Sequence, residues 1–464
     1  MTDTVLRENA PTPRPVPTVP RSYRFPAFER ITLPNGMRLV VAPVPKLPLV
    51  SITAIVDAGA TMEREGEDGV AALTAQLLLE GAAGLDGAAL TDRLERIGAS
   101  ADAHADWDAA TVSLTVLTER LPEALALVRD LLRAPEFPER EVARLKKERL
   151  AELLQLRAEP GSLADEQFAR AVYAPTARYA APAGGDATSV QALTRDLVRS
   201  FYAERYRPST TTLVFAGDVT VERATSLASE LFGNWRGTRA TSTNRAVDAS
   251  PPTHLVRVVA KADAPQSEIR VGHVGLPRRH PDYFGATVMN AVLGGLFSSR
   301  INLNLREVHG YTYGAFSAFE WRRAAGPFMI HTAVKSDVTV ASVREILHEI
   351  ERMRSAEIGT DELTLATSYL DGVFPIRYET TAAIATALSN LVIHELPDDF
   401  YDEYRTRVRN VTTADVLDAA QRHLHPEQLR IVIVGDPAVI AAPLAELDGG
   451  SVEVVTPEGA EVAA

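Results

Sequence analysis

Two stretches of the sequence decide the fold: "YRPSTTTLVFAGDVTVERATSLASELFGNW" (206–235) and "LHPEQLRIVIVGDPAVIAAPLAEL" (424–447). Each contains an apolar run of strand length, then a Gly-Asp pair, then a segment with helical periodicity. The two pairs begin at Gly217 and Gly435, which lie 218 positions apart. One such turn could arise by chance in any protein of mixed helix and strand content. The repeat therefore needs a second match.

That second match comes from the segments "GVAALTAQLLLEG", which begins at Gly69, and "GATVMNAVLGG", which begins at Gly285, with an offset of 216 positions. Two matches at nearly one offset indicate an internal duplication. Around them, "ERITLPNGMRLVVAPV" and "DAATVSLTVL" alternate like antiparallel strands, and "FPEREVARLKKERLAELLQLRAEP" reads as an amphipathic helix. The predicted fold class is α+β, with two homologous domains, each a mainly antiparallel sheet packed with helices. The predicted divisions are a proline-rich arm (1–25), a first domain (26–235), a linker (236–254) and a second domain (255–464).

Composition excludes several function classes. The chain has 464 residues, 46% of them hydrophobic, a formal net charge of −13 and a pI near 5.4. This acidic balance argues against nucleic acid or an anionic membrane as partner. With no cysteine, the chain has neither disulfides nor a thiol nucleophile. We find no run of about 18 apolar residues and no apolar signal-peptide core, so we expect a cytoplasmic protein.

The chain resembles the insulinase/pitrilysin family of zinc peptidases, specifically the branch related to mitochondrial processing peptidase. The resemblance rests on "LPNGMRLVVAPV", "VDAGATMERE", "FAGDV", "FPIRYET" and, most specifically, "LGGLFSSRINLNLRE-x-x-GYTYG". It extends over nearly the whole chain after about residue 25. It implies that the two domains form half of a clamshell chamber.

The catalytic motif of that family is missing. Active members carry His-x-x-Glu-His on the first helix of the N-terminal domain, where histidines at i and i+4 share a face and bind zinc while the glutamate activates water. Here the histidine positions hold Ala72 and Gln76, the glutamate position holds Ala75, and the third-ligand position holds Glu152. We therefore expect no metal and no catalytic residue in this chain alone.

Other histidines offer no clear replacement. His423 and His425 lie two residues apart, on different faces of a helix, while His348 and His394 each precede a lone glutamate. A surface or capping role is the expected one for all four. Serine-hydrolase elbows, phosphate loops and dinucleotide fingerprints are also missing from the sequence.

The resemblance assigns a different role to Arg306 and Tyr313. In the family, an arginine and a tyrosine seven residues later reach a zinc site on the facing domain, bind the substrate backbone and stabilise the oxyanion. In the two-subunit branch these residues belong to a subunit that lacks zinc. The alternative is a salt-bridged arginine at a helix end and a core tyrosine. Tyr311 could share the face of Tyr313 on an extended segment, but only Tyr313 has the family's spacing.

The segment "GASADAHADWDAATVSL" (98–114) corresponds to the sheet edge to which family members add an extended substrate. A polar hairpin turn is the alternative, and Asp102, Asp106 and Asp108 are its acidic residues. We therefore predict a non-catalytic subunit of a heterodimeric zinc peptidase, with zinc on a homologous partner and a peptide as substrate. An inert structural scaffold and a homo-oligomeric peptide-binding protein remain as alternatives.

Overall fold

The computed structural model describes residues 22–237, 247–250, 254–448 and 452–461. Much of the predicted arm and most of the predicted linker lie outside these residues. Within the arm, however, Phe25 is buried and stacks on Tyr401, with ring centroids 4.7 Å apart. The end of the arm thus contributes to the core of the second half of the chain.

The first half contains one large sheet and eight helices within its described residues. In chain order, its elements are β1 (Glu29–Thr32), β2 (Arg38–Pro43), β3 (Leu49–Val56), α1 (Val70–Leu77), β4 (Gly81–Ala82), β5 (Leu85–Asp86), α2 (Gly87–Arg96), β6 (Ala101–Ala105), β7 (Ala110–Leu117), α3 (Leu121–Arg133), α4 (Glu139–Ala158), α5 (Pro160–Val172), α6 (Ala187–Ala192), α7 (Arg195–Arg205), β8 (Thr211–Gly217) and α8 (Val221–Phe232).

The second half repeats this plan. Its elements are β9 (Leu255–Ala260), β10 (Gln266–Val274), α9 (Tyr283–Asn290), α10 (Arg300–Asn302), β11 (Ala315–Phe319), β12 (Pro327–Lys335), α11 (Thr339–Ser355), α12 (Thr360–Arg377), α13 (Thr381–Ile393), α14 (Phe400–Arg409), α15 (Thr413–His423), β13 (Arg430–Gly435), α16 (Pro437–Asp448) and β14 (Val452–Val455). Two π-helical segments, Ala291–Gly295 and Leu303–Val308, flank α10.

Strand order confirms the α+β fold and the duplication. The first sheet has the order β1-β2-β8-β3-β7-β6, and the second has β14-β9-β13-β10-β12-β11. Five strands correspond one to one, including a single parallel pair at the same place, β2 with β8 and β9 with β13. The sheets differ at one edge, where β1 is antiparallel to its neighbour and β14 is parallel. Both sheets are mainly antiparallel, as predicted.

Each sheet is covered on one face by helices of its own half and on the other by a helix of the opposite half. Along β8, Leu213 and Phe215 pack with the helices of the first half, while Val214 and Ala216 belong to the core that contains α13. Reciprocally, α5 packs on β10 and β13, where Phe168 lies in the same cluster as Val432. The period-2 alternation of strand side chains gives each sheet these two different faces.

Among the described residues, none of the helices combines the length and the apolar character needed to cross a bilayer.

Candidate functional site

Helices α1 and α4 enclose a cavity of about 180 Å³, lined by positions that the sequence resemblance aligns with the family's zinc ligands. Ala72 and Gln76 line it from α1, and Lys146, Arg149 and Glu152 line it from α4. The i, i+4 spacing on α1 places the two former histidine positions on one face, as helical geometry requires. The structure therefore brings together Ala72, Gln76 and Glu152, three of the four positions aligned with the family's motif and third ligand.

The fourth position, Ala75, is fully buried and is not among the residues that line the cavity. Its small side chain is part of the core of the first half. No general base is available at this position, because alanine has no titratable group.

The donor set of the cavity does not fit a zinc ion. Alanine offers no lone pair, and Glu152, the only carboxylate lining the cavity among the described residues, lies 2.8 Å from the guanidinium of Arg149. Lys146 adds a second positive charge and donates to the backbone oxygens of Gln191, at 3.1 Å, and Leu193. Two cations beside one carboxylate oppose a divalent cation, whereas a zinc site needs three or four deprotonated or neutral donors.

A buried ion pair holds the start of α1. Glu63 accepts hydrogen bonds from the backbone N–H groups of Gly69 and Ala71, at 3.0 and 2.9 Å. Its other oxygen accepts from Arg178 Nε at 2.7 Å, and both side chains are fully buried. Burial raises the pKa of Glu63 to about 7, and Arg178 opposes the shift. Arg178 also donates to the carbonyl of Ala183, at 2.8 Å, in the loop that precedes α6. One network therefore caps α1 and fixes that loop.

Two glycines allow that loop to approach α1. Gly69 has φ of +97°, and a Cβ there would lie 2.7 Å from Gly184 O; Gly185 has φ of +75°, and a Cβ there would lie 2.4 Å from Asp68 O. Sequence reasoning missed this support. "MERE" was recognised as part of a family motif, but its pattern of charges gave no sign that Glu63 is buried.

Arg306 and Tyr313 lie far along the chain, on either side of a sharp turn. Arg306 belongs to the π-helical segment Leu303–Val308, and Tyr313 follows Gly310, which has φ of +67°. Thr312 donates to the backbone oxygen of Ala333, at 2.8 Å, and thereby fixes the turn to β12. Neither member of the pair lines the α1–α4 cavity.

Tyr313 departs from the structural alternative, whereas Arg306, in the last turn of its π-helical segment, has the ion pair which that alternative expects. Tyr313 is 95% exposed, so the alternative of a core tyrosine is wrong. Tyr311, by contrast, is partly buried and stacks on His309 with centroids 4.9 Å apart. The Arg306 guanidinium lies over the ring of Phe297 at 4.6 Å, and its Nε is 3.5 Å from a Glu307 oxygen.

The acidic segment separates into an edge strand and an interdomain contact. β6 is the last strand at one edge of the first sheet, and its Ala105 borders the α1–α4 cavity. Asp108 is buried, and burial raises its pKa; its Oδ2 accepts from Arg323 N, across the domain boundary, at 2.7 Å. Asp102 pairs with His104 at 2.6 Å. These carboxylates therefore have intramolecular partners.

The four histidines expected to have surface or capping roles lie in different environments. His348 is exposed on α11, and His394 caps the end of α13. Burial lowers the pKa of His394 to about 4. The backbone N–H of His425 donates to His273, while His423 ends α15 and lies 2.7 Å from Asp282. Only tertiary structure brings His423 to a carboxylate 141 residues away.

Comparison with known proteins agrees with this architecture. Residues 39–181 match the model of the insulinase family, peptidase family M16, and residues 192–370 match the model described as the peptidase M16 inactive domain. An uncharacterized zinc protease of Streptomyces coelicolor is 24% identical over 84% of this chain and 86% of its own length. Another from Mycobacterium tuberculosis is 24% identical over 91% of this chain and 96% of its own.

Solved structures show the same fold. A peptidase M16 inactive domain from Pseudomonas fluorescens superimposes with a TM-score of 0.83 at 25% identity, covering 88% of this chain and 98% of that one. A protease from Helicobacter pylori gives a TM-score of 0.83 at 18% identity, covering 89% of this chain and all of that one. Both halves of the chain are thus accounted for by one family, and the protein belongs to the insulinase family of peptidases, family M16.

Proposed function

We propose that this chain is the non-catalytic subunit of a heterodimeric zinc peptidase of the processing-peptidase type. Its two domains form one half of a chamber, and a homologous chain with an intact His-x-x-Glu-His forms the other. Arg306 and Tyr313 bind the substrate backbone and stabilise the oxyanion at the zinc site of the partner. Zinc belongs to the partner, and this chain alone cleaves no peptide.

The observation that carries the proposal is the exposure of Tyr313. A tyrosine that is 95% exposed contributes almost nothing to its own domain, yet its loop is fixed to β12 through Thr312. The loop that carries Tyr313 is fixed, and its solvent-facing phenol can donate a hydrogen bond, as the Arg306 guanidinium can, to an external group that carries negative charge. The α1–α4 cavity of this chain lacks the donors for a zinc ion, so no zinc-dependent reaction there would supply such a negatively charged group.

A peptide substrate fits the surface next to that cavity. β6 is an edge strand, to which an extended peptide can add by main-chain hydrogen bonds. An apolar cavity of about 290 Å³ lies beside the α1–α4 cavity, because Arg149 lines both. Leu153, Phe168 and Tyr173 are among its lining residues and could receive an apolar side chain. This chain would then hold a peptide that the partner cleaves.

The test is to reconstitute the complex with a zinc-bearing homologue and measure peptide cleavage. Arg306→Ala or Tyr313→Phe should lower turnover by roughly ten- to a thousandfold, the range for the loss of one oxyanion donor. Tyr311→Phe is the matched control for the phenol. Arg279→Ala is the control for the cation, since Arg279 is exposed and pairs with Glu395 on the surface.

Assembly and zinc content should stay at the wild-type level in all four variants, because none of these side chains is proposed to hold the fold or the partner's metal. Wild-type cleavage by both Arg306→Ala and Tyr313→Phe would show that the pair has no catalytic role. Loss of assembly in these two variants would assign the pair to the subunit interface instead.

One alternative has support of its own. The edge strand and the apolar cavity could bind peptides without any active partner, as in a homo-oligomeric peptide-binding protein. Peptide binding by the isolated chain at the affinity of the complex, with no change in cleavage by Arg306→Ala, would favour that function. A purely structural scaffold would show neither binding nor an effect on cleavage.

A further inference from the structure

Three side chains that can bind metal converge in the second half of the chain. His280 and Asp282 immediately precede α9, and His423 is the last residue of α15. One potential ligand atom from each lies within 4.8 Å of the other two. It is the one such group of three found among the described residues, and it shares no residue with the α1–α4 cavity.

The distances suit a small ion. His423 Nε2 lies 2.7 Å and His280 Nδ1 lies 3.9 Å from the same oxygen of Asp282, Oδ2. These two values bracket the roughly 3.3 Å between ligand atoms around a tetrahedral ion with bonds of about 2.0–2.1 Å. A movement of about 0.6 Å by each nitrogen relative to Asp282 Oδ2 would bring both distances to this value.

Each imidazole makes a hydrogen bond that a metal ion would have to replace. His280 Nδ1 accepts a hydrogen bond from the backbone N–H of Asp282 at 3.2 Å, so this nitrogen carries a lone pair. His423 is about nine-tenths buried, and its Nε2 donates a hydrogen bond to Asp282 Oδ2 at 2.7 Å. A metal ion would replace both hydrogen bonds, and coordination through His423 Nε2 requires the tautomer with the proton on Nδ1.

The guanidinium of Arg422 already contacts this group of three residues. Arg422 Nη1 lies 2.7 Å from Asp282 Oδ2, where it neutralises the carboxylate. The Arg422 side chain is 53% exposed and also pairs with Asp418 on its own helix. It can therefore leave Asp282 and keep an acidic partner, which opens the carboxylate to a different cation.

We propose that His280, Asp282 and His423 bind one divalent transition-metal ion, with water in the remaining positions, and that Arg422 competes with it. Two imidazoles and a carboxylate suit Zn²⁺ and Co²⁺. The ion ties the start of α9 to the end of α15. The site is structural and separate from the zinc chemistry of the family. It departs from the sequence-based expectation of a chain without metal, which rested on the lost motif of α1.

The test uses full-length, tag-free protein stripped of metal. Zn²⁺ is titrated by calorimetry and Co²⁺ by its visible absorption, which reports coordination geometry. We expect one ion per chain in the wild type and a loss of affinity of at least roughly 100-fold in His280→Ala and His423→Ala. Arg422→Gln should bind about tenfold more tightly, because a competing charge is gone. His348→Ala removes an exposed histidine elsewhere and should bind like the wild type.

Several results would overturn the proposal: no binding by the wild type, unchanged binding in His280→Ala, or weaker binding in Arg422→Gln. Circular dichroism of each variant checks the fold. If His423→Ala unfolds because its site is buried, His280→Ala decides, since its side chain is 28% exposed and makes no buried ion pair.

Discussion

Acid should destabilise the second domain through His273, which is 2% exposed in the middle of the second sheet. Its Nδ1 lies 2.8 Å from the carbonyl of Val274, to which it donates, and its Nε2 accepts the backbone N–H of His425 at 3.2 Å. The Nε2 contact requires the neutral ring, because a proton on Nε2 would face another N–H. Burial accordingly lowers the pKa of His273 to about 4.

The magnitude follows from the two pKa values. The unfolded chain binds the proton with a pKa near 6.5 and the folded chain with a pKa of about 4, so the unfolded state gains protons first as the pH falls. Stability from this group is complete above pH 6.5 and is lost as the pH falls toward 4. The loss is about 2 kcal/mol at pH 5 and about 3 kcal/mol at pH 4.

The assay is urea unfolding at pH 7.5 and pH 5.0, followed by tryptophan fluorescence, for the wild type and His273→Gln. Glutamine keeps one donor and one acceptor but does not titrate, so its unfolding free energy should fall by about 2 kcal/mol less between the two pH values. His348→Gln, on the surface of α11, should keep the wild-type dependence. Equal pH dependence in His273→Gln and the wild type would refute the argument that this ring is held neutral.

Two further predictions concern the α1–α4 cavity. The triple substitution Ala72→His, Ala75→Glu and Gln76→His restores the family motif. It should nevertheless bind zinc in this cavity at least about tenfold more weakly than the same triple variant with Arg149→Leu added, because the Arg149 guanidinium repels the ion. Equal zinc affinities of the two variants by calorimetry would contradict this. Gly185→Ala should lower the thermal midpoint by several degrees, since its φ of +75° and a Cβ 2.4 Å from a backbone oxygen leave no room for the methyl group; a midpoint equal to that of the wild type in a calorimetric scan would show that the loop moves freely.

Sequence reasoning predicted the repeated elements well, because they depend on local signals. The "PNG" turn does separate β1 from β2, and the glycines of the two Gly-Asp pairs do end the corresponding strands β8 and β13. The degenerate positions Ala72 and Gln76 share a helix face because helical period alone decides that. Such features need no knowledge of distant contacts.

Features that depend on distant contacts could not be predicted in the same way. The partner of Glu63 is 115 residues away, and the one that Asp108 binds across the domain boundary is 215 residues away. Nothing in the local pattern marks either carboxylate as buried. The repeat segment "GATVMNAVLGG" is α-helical only to Asn290 and then continues in π-helical form, a change of hydrogen bonding that composition does not encode.

Helices α5 and α13 each pack on the sheet of the opposite half, an exchange that has a consequence for folding during synthesis. Helix α13 of the second half covers the face of the first sheet that carries Val214 and Ala216, and this helix ends at Ile393. The ribosome must therefore synthesise most of the chain before the core of the first domain can be completed. Until then, Val214 and Ala216 are exposed and open to wrong partners. The same exchange suggests a history for the duplication. A single ancestral domain that traded this helix between two copies would already have been a domain-swapped dimer, and gene fusion would have joined two chains that could not fold apart.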